Sequence, residues 1–365
     1  MDKLRIVHTE ASLGWGGQEI RILTEAAGMA ARGHRVTLIA PPEAAIFREA
    51  RERGIEAVAL PIGRKRLRGL FALRAWLKDH AADVINTHSS TDTWLAALAC
   101  ATLSDSPPIV RTRHISAPLP DNWSTRWLYR KATSYIATTG EALREQMMRE
   151  AGVDPERVQS VPTGIDLAYF QPGDRRAARA QLELPLAAPL IGIVATLRSW
   201  KGHRYLIEAL RELPEAHLVI AGDGPQRDAL EAQVAQLGMQ ARVRFAGNRR
   251  DVAPWLQALD IFALPSYANE GVPQALMQAM ACALPVVTTP VGSIGEIVTH
   301  EETGLMVAPQ STPALRDALA RLLGDATLRV RLGAAGRQRA LERFSDTLMV
   351  ERMERIFLAA ASRHD

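Results

Sequence analysis

The stretch "LRIVHTEASLGWGGQEIRILTEAAGMAARGHRVTLIA" (residues 4–40) decides the fold. "LRIVHT" and "RVTLIA" are short apolar runs rich in β-branched residues, and between them a helix-like segment runs from about Glu19 to Ala31. Strand, helix, strand predicts a βαβ unit and hence a parallel sheet. The pattern continues outward through a helix over "AIFREARERG", then "EAVALPI", another helix, "ADVINTH", "PIVRTRH" and "SYIATTG". After "VQSVPTGIDLAYFQPG" and an Arg- and Ala-rich segment the rhythm restarts at "LIGIVATL" and runs through "HLVIAGDG", "RVRFAG", "DIFALPS" and "PVVTTP". The expected architecture is α/β, with two Rossmann-like parallel-sheet domains. The first is residues 1–168 plus a C-terminal helix over 346–365, with Leu348, Val350, Met353, Ile356 and Phe357 as its apolar positions; the second is 169–345. In such proteins ligands bind at the carboxyl ends of the strands, in the cleft between domains.

Composition agrees with this reading. A chain of 365 residues, 47% apolar and 23% charged, is long enough for two buried cores and does not read as disordered. Forty-four Lys and Arg against 40 Asp and Glu leave a formal charge of +4, too mild to argue for a nucleic-acid partner. Cys100 and Cys282 are far apart in apolar settings, so neither a disulfide framework nor a cysteine metal site is expected, and a reducing cytoplasm fits. The N-terminus has no signal-peptide pattern, and no run is long and apolar enough to predict a membrane span.

The loops at strand ends carry the chemistry. "GWGGQE" follows the first strand, and Gly16 and Gly17, with Gly14 before them, would let backbone N–H groups approach an anion at a helix N-terminus. The spacing is not the G-x-G-x-x-G of a dinucleotide fold. In "LRSWKGH", Arg198 and Lys201 stand at the start of a helix, where cations oppose the macrodipole; an anion that offsets them, such as a diphosphate, explains the pair better than a solvated helix start. "AGDGP" and "FAGNRRD" place Gly222, Gly247 and Asn248 in loops suited to a nucleotide base and its sugar, although plain turns explain them equally well. In "NEGVPQALMQAM" (residues 269–280), Glu270 sits in a loop, Gly271 and Val272 offer backbone amides, and Pro273 suits the first helical position. Gln274 and Gln278 share a face of that helix.

These elements, in this order, resemble the retaining glycosyltransferases of the GT-B architecture, family 4 type, nearly end to end and most specifically over residues 266–308. The resemblance implies two Rossmann-like domains facing each other across a cleft, a nucleotide diphosphate sugar as donor, and a hydroxyl of a glycan or glycolipid as acceptor. It also implies roles. Glu270 matches the first acid of the family's Glu, seven residues, Glu motif and would bind the donor sugar. The second acid, which would hold the ribose, falls on Gln278. The usual arginine five before the lysine is Thr196, so Arg198 is taken as its substitute, and the usual Asn-Gly of the interdomain loop is Thr163-Gly164. His114, in "VRTRHIS", resembles the family's histidine beside the donor sugar. His88, in "INTHSS", lines the acceptor side or satisfies a backbone carbonyl.

The expected catalytic set is therefore Glu270, His114, Lys201 and Arg198, with no cofactor. No Asp-x-Asp and no His or Cys pair at ligand spacing is present, so the leaving diphosphate would be stabilised by cations and backbone amides, without metal. "GRKRLRGLFALRAWLKDH" puts Arg64, Lys65, Arg66 and Arg68 before a helix with Leu70, Leu73, Trp76 and Leu77 on one face. That segment (64–78), with the basic aromatic "NWSTRWLYRK", suits peripheral contact with anionic lipid on the inner face of the cytoplasmic membrane. A role in bacterial cell-envelope polysaccharide or lipopolysaccharide synthesis follows by analogy. The competing expectations are a sugar-nucleotide epimerase of the same architecture and an inactive nucleotide-sugar-binding protein.

Overall fold

The computed structural model describes residues 3–115, 117–268 and 270–362. Asn269 of "NEGVP" and the last three residues of the expected C-terminal helix lie outside the described residues. The chain divides into two compact units: one takes everything up to Gly164 and returns from Asp346 onward, and the other is Ile165–Ser345.

The first unit is built on seven parallel strands: β1 (Arg5–Thr9), β2 (Arg35–Ala40), β3 (Glu56–Ala59), β4 (Val84–Thr87), β5 (Ile109–Arg113), β6 (Tyr135–Thr138) and β7 (Val158–Ser160), in the order β3-β2-β1-β4-β5-β6-β7. Side chains alternate across the sheet. Ile6, Val84 and Val110 pack with the helix Gly17–Ala31 on one face, while Val7, Ile85 and Ile109 pack with Leu73, Leu77, Leu95 and Ala96 on the other. The first helix starts two residues earlier than the sequence suggests, with Gly16 as its extended N-cap.

The chain end closes this unit. In the helix Asp346–Ser362 the large apolar residues that are buried are Met349, Val350, Met353, Ile356 and Phe357, so Met349 takes the place expected of Leu348, which is half-buried. Each such fully buried side chain contributes about 1.5–3 kcal/mol relative to an exposed one. The helix lies so close to Gly17–Ala31 that a Cβ on Gly28 would stand 2.4 Å from Val350 Cγ2. Glu354 accepts hydrogen bonds from Arg32 Nε (2.9 Å) and His34 Nε2 (2.8 Å), which fixes its register against the turn after the first helix.

The second unit repeats the plan with six parallel strands: β8 (Leu190–Val194), β9 (His217–Ala221), β10 (Val243–Gly247), β11 (Ile261–Leu264), β12 (Val286–Thr288) and β13 (Leu305–Met306), ordered β10-β9-β8-β11-β12-β13. Strand order reverses beside β1 and β4 in the first unit and beside β8 and β11 in the second. Such switch points open a crevice at the carboxyl ends of the strands.

Candidate functional site

In the second unit, the ends of β8 and β11 bring two of the expected residues together. The chain leaves β8 through a short turn, Ser199–Lys201, and only then enters the helix His203–Arg211. Lys201 therefore stands on a turn before the helix, not on its first residues. Gly202 joins the two at φ +78, and a Cβ there would lie 2.1 Å from the Pro265 carbonyl oxygen, so the turn is pressed against the end of β11. This brings Lys201 Nζ to 2.6 Å from Glu270 Oε1, across 69 residues of sequence. Ser266 Oγ donates to the same oxygen at 2.6 Å. Glu270 is 3% exposed, so its carboxylate has to be met by partners such as these.

The loop around Glu270 is fixed from behind. Gly292, at φ +58, lies where a Cβ would come within 1.9 Å of the Glu270 carbonyl oxygen, and Thr289 Oγ1 donates to the Ser266 carbonyl. Gly271 and Val272 are buried, and the helix Gln274–Ala281 follows with Pro273 as its extended N-cap, one residue before the position expected of it. Gln278 is buried on that helix. Gly222 N–H donates to the Gly247 carbonyl at 2.8 Å, tying the two glycine loops together, and a Cβ on Gly222 would stand 1.9 Å from Ala195 O. Asn248 is exposed. Arg198 is exposed as well, with its guanidinium 5.8 Å from the Trp200 ring centre; its carbonyl accepts from the Lys201 backbone N–H at 3.1 Å, and no hydrogen bond described ties its guanidinium to Lys201 or Glu270. His203, behind Lys201, is buried with neither ring nitrogen partnered among the described residues, and burial pushes it down to about 3.

The first unit holds a different constellation at the corresponding strand ends. His88, just past β4, is buried and bonded on both sides: its Nε2 lies 3.0 Å from His8 Nδ1 and its Nδ1 lies 3.1 Å from His114 Nε2. Of the two alternatives expected of His88, the backbone carbonyl is not its ring partner, since both ring nitrogens meet imidazoles. His8 is fully buried, with its Nε2 unpartnered among the described residues, and Phe357 meets its ring edge-on at 6.2 Å. His114 is half-buried. Burial lowers the pKa of all three, His8 to about 3; Arg21 and Arg111 add to the lowering at His88 and His114.

Carboxylates lie under the same strand ends. Asp92 accepts from Thr9 Oγ1 (2.7 Å) and from the His88 and Ser89 backbone N–H groups (both 2.8 Å), capping the helix Ser90–Cys100. Glu10 accepts from the Ser12 N–H at 2.7 Å and from Gln18 of the "GWGGQE" loop, and burial with Asp92 nearby pushes it up to about 8. Gly14 N–H donates to Ser12 Oγ at 3.0 Å, and Gly16 O accepts from Ile20 N–H. Fully buried Arg21 donates to Val161 O and Thr163 Oγ1; its Nε and Nη2 are unpartnered among the described residues, and its nearest carboxylate is Glu25 at 3.9 Å. An unpartnered buried polar group costs about 1–3 kcal/mol, so this arrangement is a stability expense concentrated at one end of the sheet.

Sequence reasoning missed His8, Glu10, Arg21 and Asp92. A signal was present: β1, β4 and β5 are neighbours, His8 pairs in register with Asn86, and Asn86 pairs with Val110. Counting by twos puts His8, His88 and His114 on one face. Among the described residues no group of three or more His, Cys, Asp or Glu side chains could hold a metal ion.

Two parallel-sheet units, each with polar groups gathered at its switch point, define the class as GT-B. The chain matches the family Glycosyl transferases group 1 over residues 174–339 and Glycosyltransferase Family 4 over residues 15–169. It is 33% identical over 292 residues to the D-inositol 3-phosphate glycosyltransferase of Xylanimonas cellulosilytica, a match that covers 72% of this chain and 68% of that one. Against mycobacterial enzymes of the same name it spans about half of their length. The fold is shared with a glycosyltransferase from Rickettsia africae (TM-score 0.87, 20% identity, 99% of both chains). It is also shared with the Anabaena protein HepE in complex with UDP-glucose (TM-score 0.87, 21% identity, 98% of this chain and 100% of that one). The chain belongs to the group 1 glycosyltransferases.

Proposed function

We propose that the protein transfers a sugar from a nucleotide diphosphate sugar to a hydroxyl of a glycan or glycolipid, with retention of anomeric configuration and without a metal ion. The observation that carries this reading is the Lys201–Glu270 pair, a cation and a carboxylate held 2.6 Å apart at the carboxyl ends of β8 and β11. Glu270 would turn its second oxygen to the sugar hydroxyls while Lys201, Arg198 and the Gly271 and Val272 amides meet the charge that grows on the departing diphosphate. Gln278 would contact the ribose, and the loops at Gly222, Gly247 and Asn248 the nucleotide. His114 would bond a sugar hydroxyl, and the strand ends around His88, with the Gly14, Gly16 and Gly17 loop, would receive the acceptor.

UDP-glucose is the first donor to try, since the Anabaena protein of the same fold was solved with it. A panel of acceptor hydroxyls, including lipopolysaccharide core sugars, polyprenyl-linked saccharides and inositol phosphate, tests the acceptor class; the last belongs there because the Xylanimonas relative carries it in its name. Proton NMR of the product anomer checks retention, and unchanged turnover in excess EDTA checks metal independence. Interconversion of the nucleotide sugar without acceptor would instead favour an epimerase. Binding of donor with neither hydrolysis nor transfer would favour an inactive binding protein.

Peripheral membrane contact belongs to the same proposal, through a different face than the periodicity suggests. In the helix Leu67–Asp79, Leu73 and Leu77 are buried and Leu70 and Trp76 are half-buried in the core. Leu67 and Phe71 are exposed instead, at 70% and 62%, beside exposed Arg64, Lys65, Arg66 and Arg68. Two apolar side chains among four cations suit an anionic lipid surface, where each cation contributes about 1 kcal/mol. No described helix is long and apolar enough to cross a membrane. Co-sedimentation with phosphatidylglycerol vesicles, lost in Leu67→Ser/Phe71→Ser, tests the contact.

A further inference from the structure

The three imidazoles of the first unit form an unbroken ladder. His8 lies in β1, His88 follows β4 and His114 follows β5, on one face of three adjacent strands. Neighbouring ring centres are 5.3 Å apart in both steps, close to the spacing of strands, so the sheet itself sets the rungs. Each step joins Nδ1 of one ring to Nε2 of the next.

A neutral imidazole has one N–H, and a ring–ring hydrogen bond needs one donor and one acceptor. The tautomers are therefore not independent: protonation at Nδ1 of His8 requires it at Nδ1 of His88 and of His114, and the reverse choice puts all three protons on Nε2. The buried end decides between them. His8 Nε2 is buried with no hydrogen-bond partner among the described residues, and the ring packs edge-on against Phe357. An orphaned buried N–H is among the rarest features of folded proteins, whereas an unused lone pair is better tolerated. The guanidiniums of Arg21 and Arg111 repel a proton on the upper two rings, so the ladder stays neutral; Glu25, the nearest carboxylate of Arg21, is hydrogen-bonded to Asn86 and not to an imidazole.

We infer that His8 and His88 are positioning residues that lock His114 as the Nδ1–H tautomer, so that half-buried His114 offers a hydrogen-bond donor to a sugar hydroxyl or phosphate oxygen and never a general base. The locking stands on the ladder alone; the use made of the donor rests on the glycosyl-transfer reading.

Long-range 1H–15N correlation spectra of the full chain labelled with 15N-histidine test it directly. All three rings are expected as neutral Nδ1–H tautomers from pH 5.5 to 8, a diagnostic result because free imidazole prefers Nε2–H. A proton on His114 Nε2, or titration of any of the three in that range, would overturn the inference. His88→Asn places an amide N–H where Nδ1 stood and is expected to keep His114 as Nδ1–H. His88→Phe removes the donor and is expected to release His114 to Nε2–H; an unchanged His114 tautomer there would show that something other than the ladder sets it. With donor and acceptor in hand, His88→Phe is expected to lower kcat about tenfold at unchanged donor KM, and His88→Asn to recover most of that loss. Equal rates in the two variants would overturn the donor role while leaving the tautomer result intact, and a wild-type protein with the predicted tautomers but no transfer would count against the proposed function alone.

Discussion

The two units share one strand order, yet they place opposite electrostatics at the same topological point. Where β8 and β11 part, a buried carboxylate is held by a lysine; where β1, β4 and β5 end, burial lowers the pKa of three imidazoles, and nearby guanidiniums add to this at His88 and His114. In the proposed reaction the fixed charge would meet a departing diphosphate and the neutral donors and acceptors a hydroxyl. One fold can hold both arrangements because the sheet dictates only where side chains converge, not what they are.

Removing charge from the second unit is the strongest way to break this contrast. Lys201→Ala is expected to lower kcat/KM for transfer at least a hundredfold, about 3 kcal/mol of transition-state stabilisation, measured by steady-state kinetics. It also takes the cation from a buried carboxylate, so the variant should unfold at lower urea concentration. The double variant Lys201→Met/Glu270→Gln should regain the stability but not the rate. A Lys201→Ala protein with near wild-type turnover would remove the charged half of the comparison.

Rigidity behind Glu270 is the next point of attack. Gly292→Ala must place a Cβ 1.9 Å from the Glu270 carbonyl oxygen on a backbone at φ +58. Strain of that kind together with the clash should cost upwards of about 3 kcal/mol in denaturant unfolding, because the neighbour is backbone and cannot rotate away. Gly247→Ala, at φ +72 but with nothing within 4 Å, provides the control and should show only the strain.

These two experiments also mark what was legible in the sequence. The fold followed from periodicity, since parallel strands buried on both faces read as short apolar runs and the helices between them as amphipathic ones. Lys201 stood out, with Arg198, because cations before a helix are locally odd, and Glu270 because its motif resembles the family's. Their direct pairing was not legible: it depends on Gly202 letting the turn pack on Pro265, a tertiary fact. His8 was hidden for another reason. Inside "RIVHT" it reads as an interruption of a strand, and only the register of β1 against β4 and β5 shows that it lies on the same face as His88 and His114. Exposed Leu67 and Phe71 escaped because periodicity marks the apolar face that packs and does not flag apolar residues left on the other one.

The first unit can be sharpened through pH. Glu10 is pushed up to about 8 from an ordinary value near 4.5, chiefly by burial and then by Asp92. Between those values the folded protein keeps a proton that the unfolded chain has already released, so this group's contribution to stability is present in acid and is lost as pH rises toward 8. Glu10→Gln removes the ionisation. Its unfolding free energy relative to wild type should be nearly unchanged at pH 4.5 and grow to a gain on the order of 2 kcal/mol at pH 9, allowing for relaxation around the acid. A constant difference across that range would mean that Glu10 ionises freely.

The smallest expected effect concerns Gln278, the amide that stands where the family pattern has an acid. A carboxylate bonded to a ribose diol gives about 1.5–3 kcal/mol per charge-assisted hydrogen bond, against about 0.5–1.5 for a neutral amide. Gln278→Glu should therefore tighten nucleotide binding several-fold, worth about 1 kcal/mol, with kcat nearly unchanged, since the ribose is remote from the reacting carbon. Because Gln278 is buried, a carboxylate there is tolerated only when a ligand hydroxyl satisfies it. The variant should then be less stable than wild type without nucleotide and recover with it in a thermal-shift titration. Loss of stability with no recovery would place Gln278 in the core of the second unit and leave the ribose to the Gly222 and Gly247 loops.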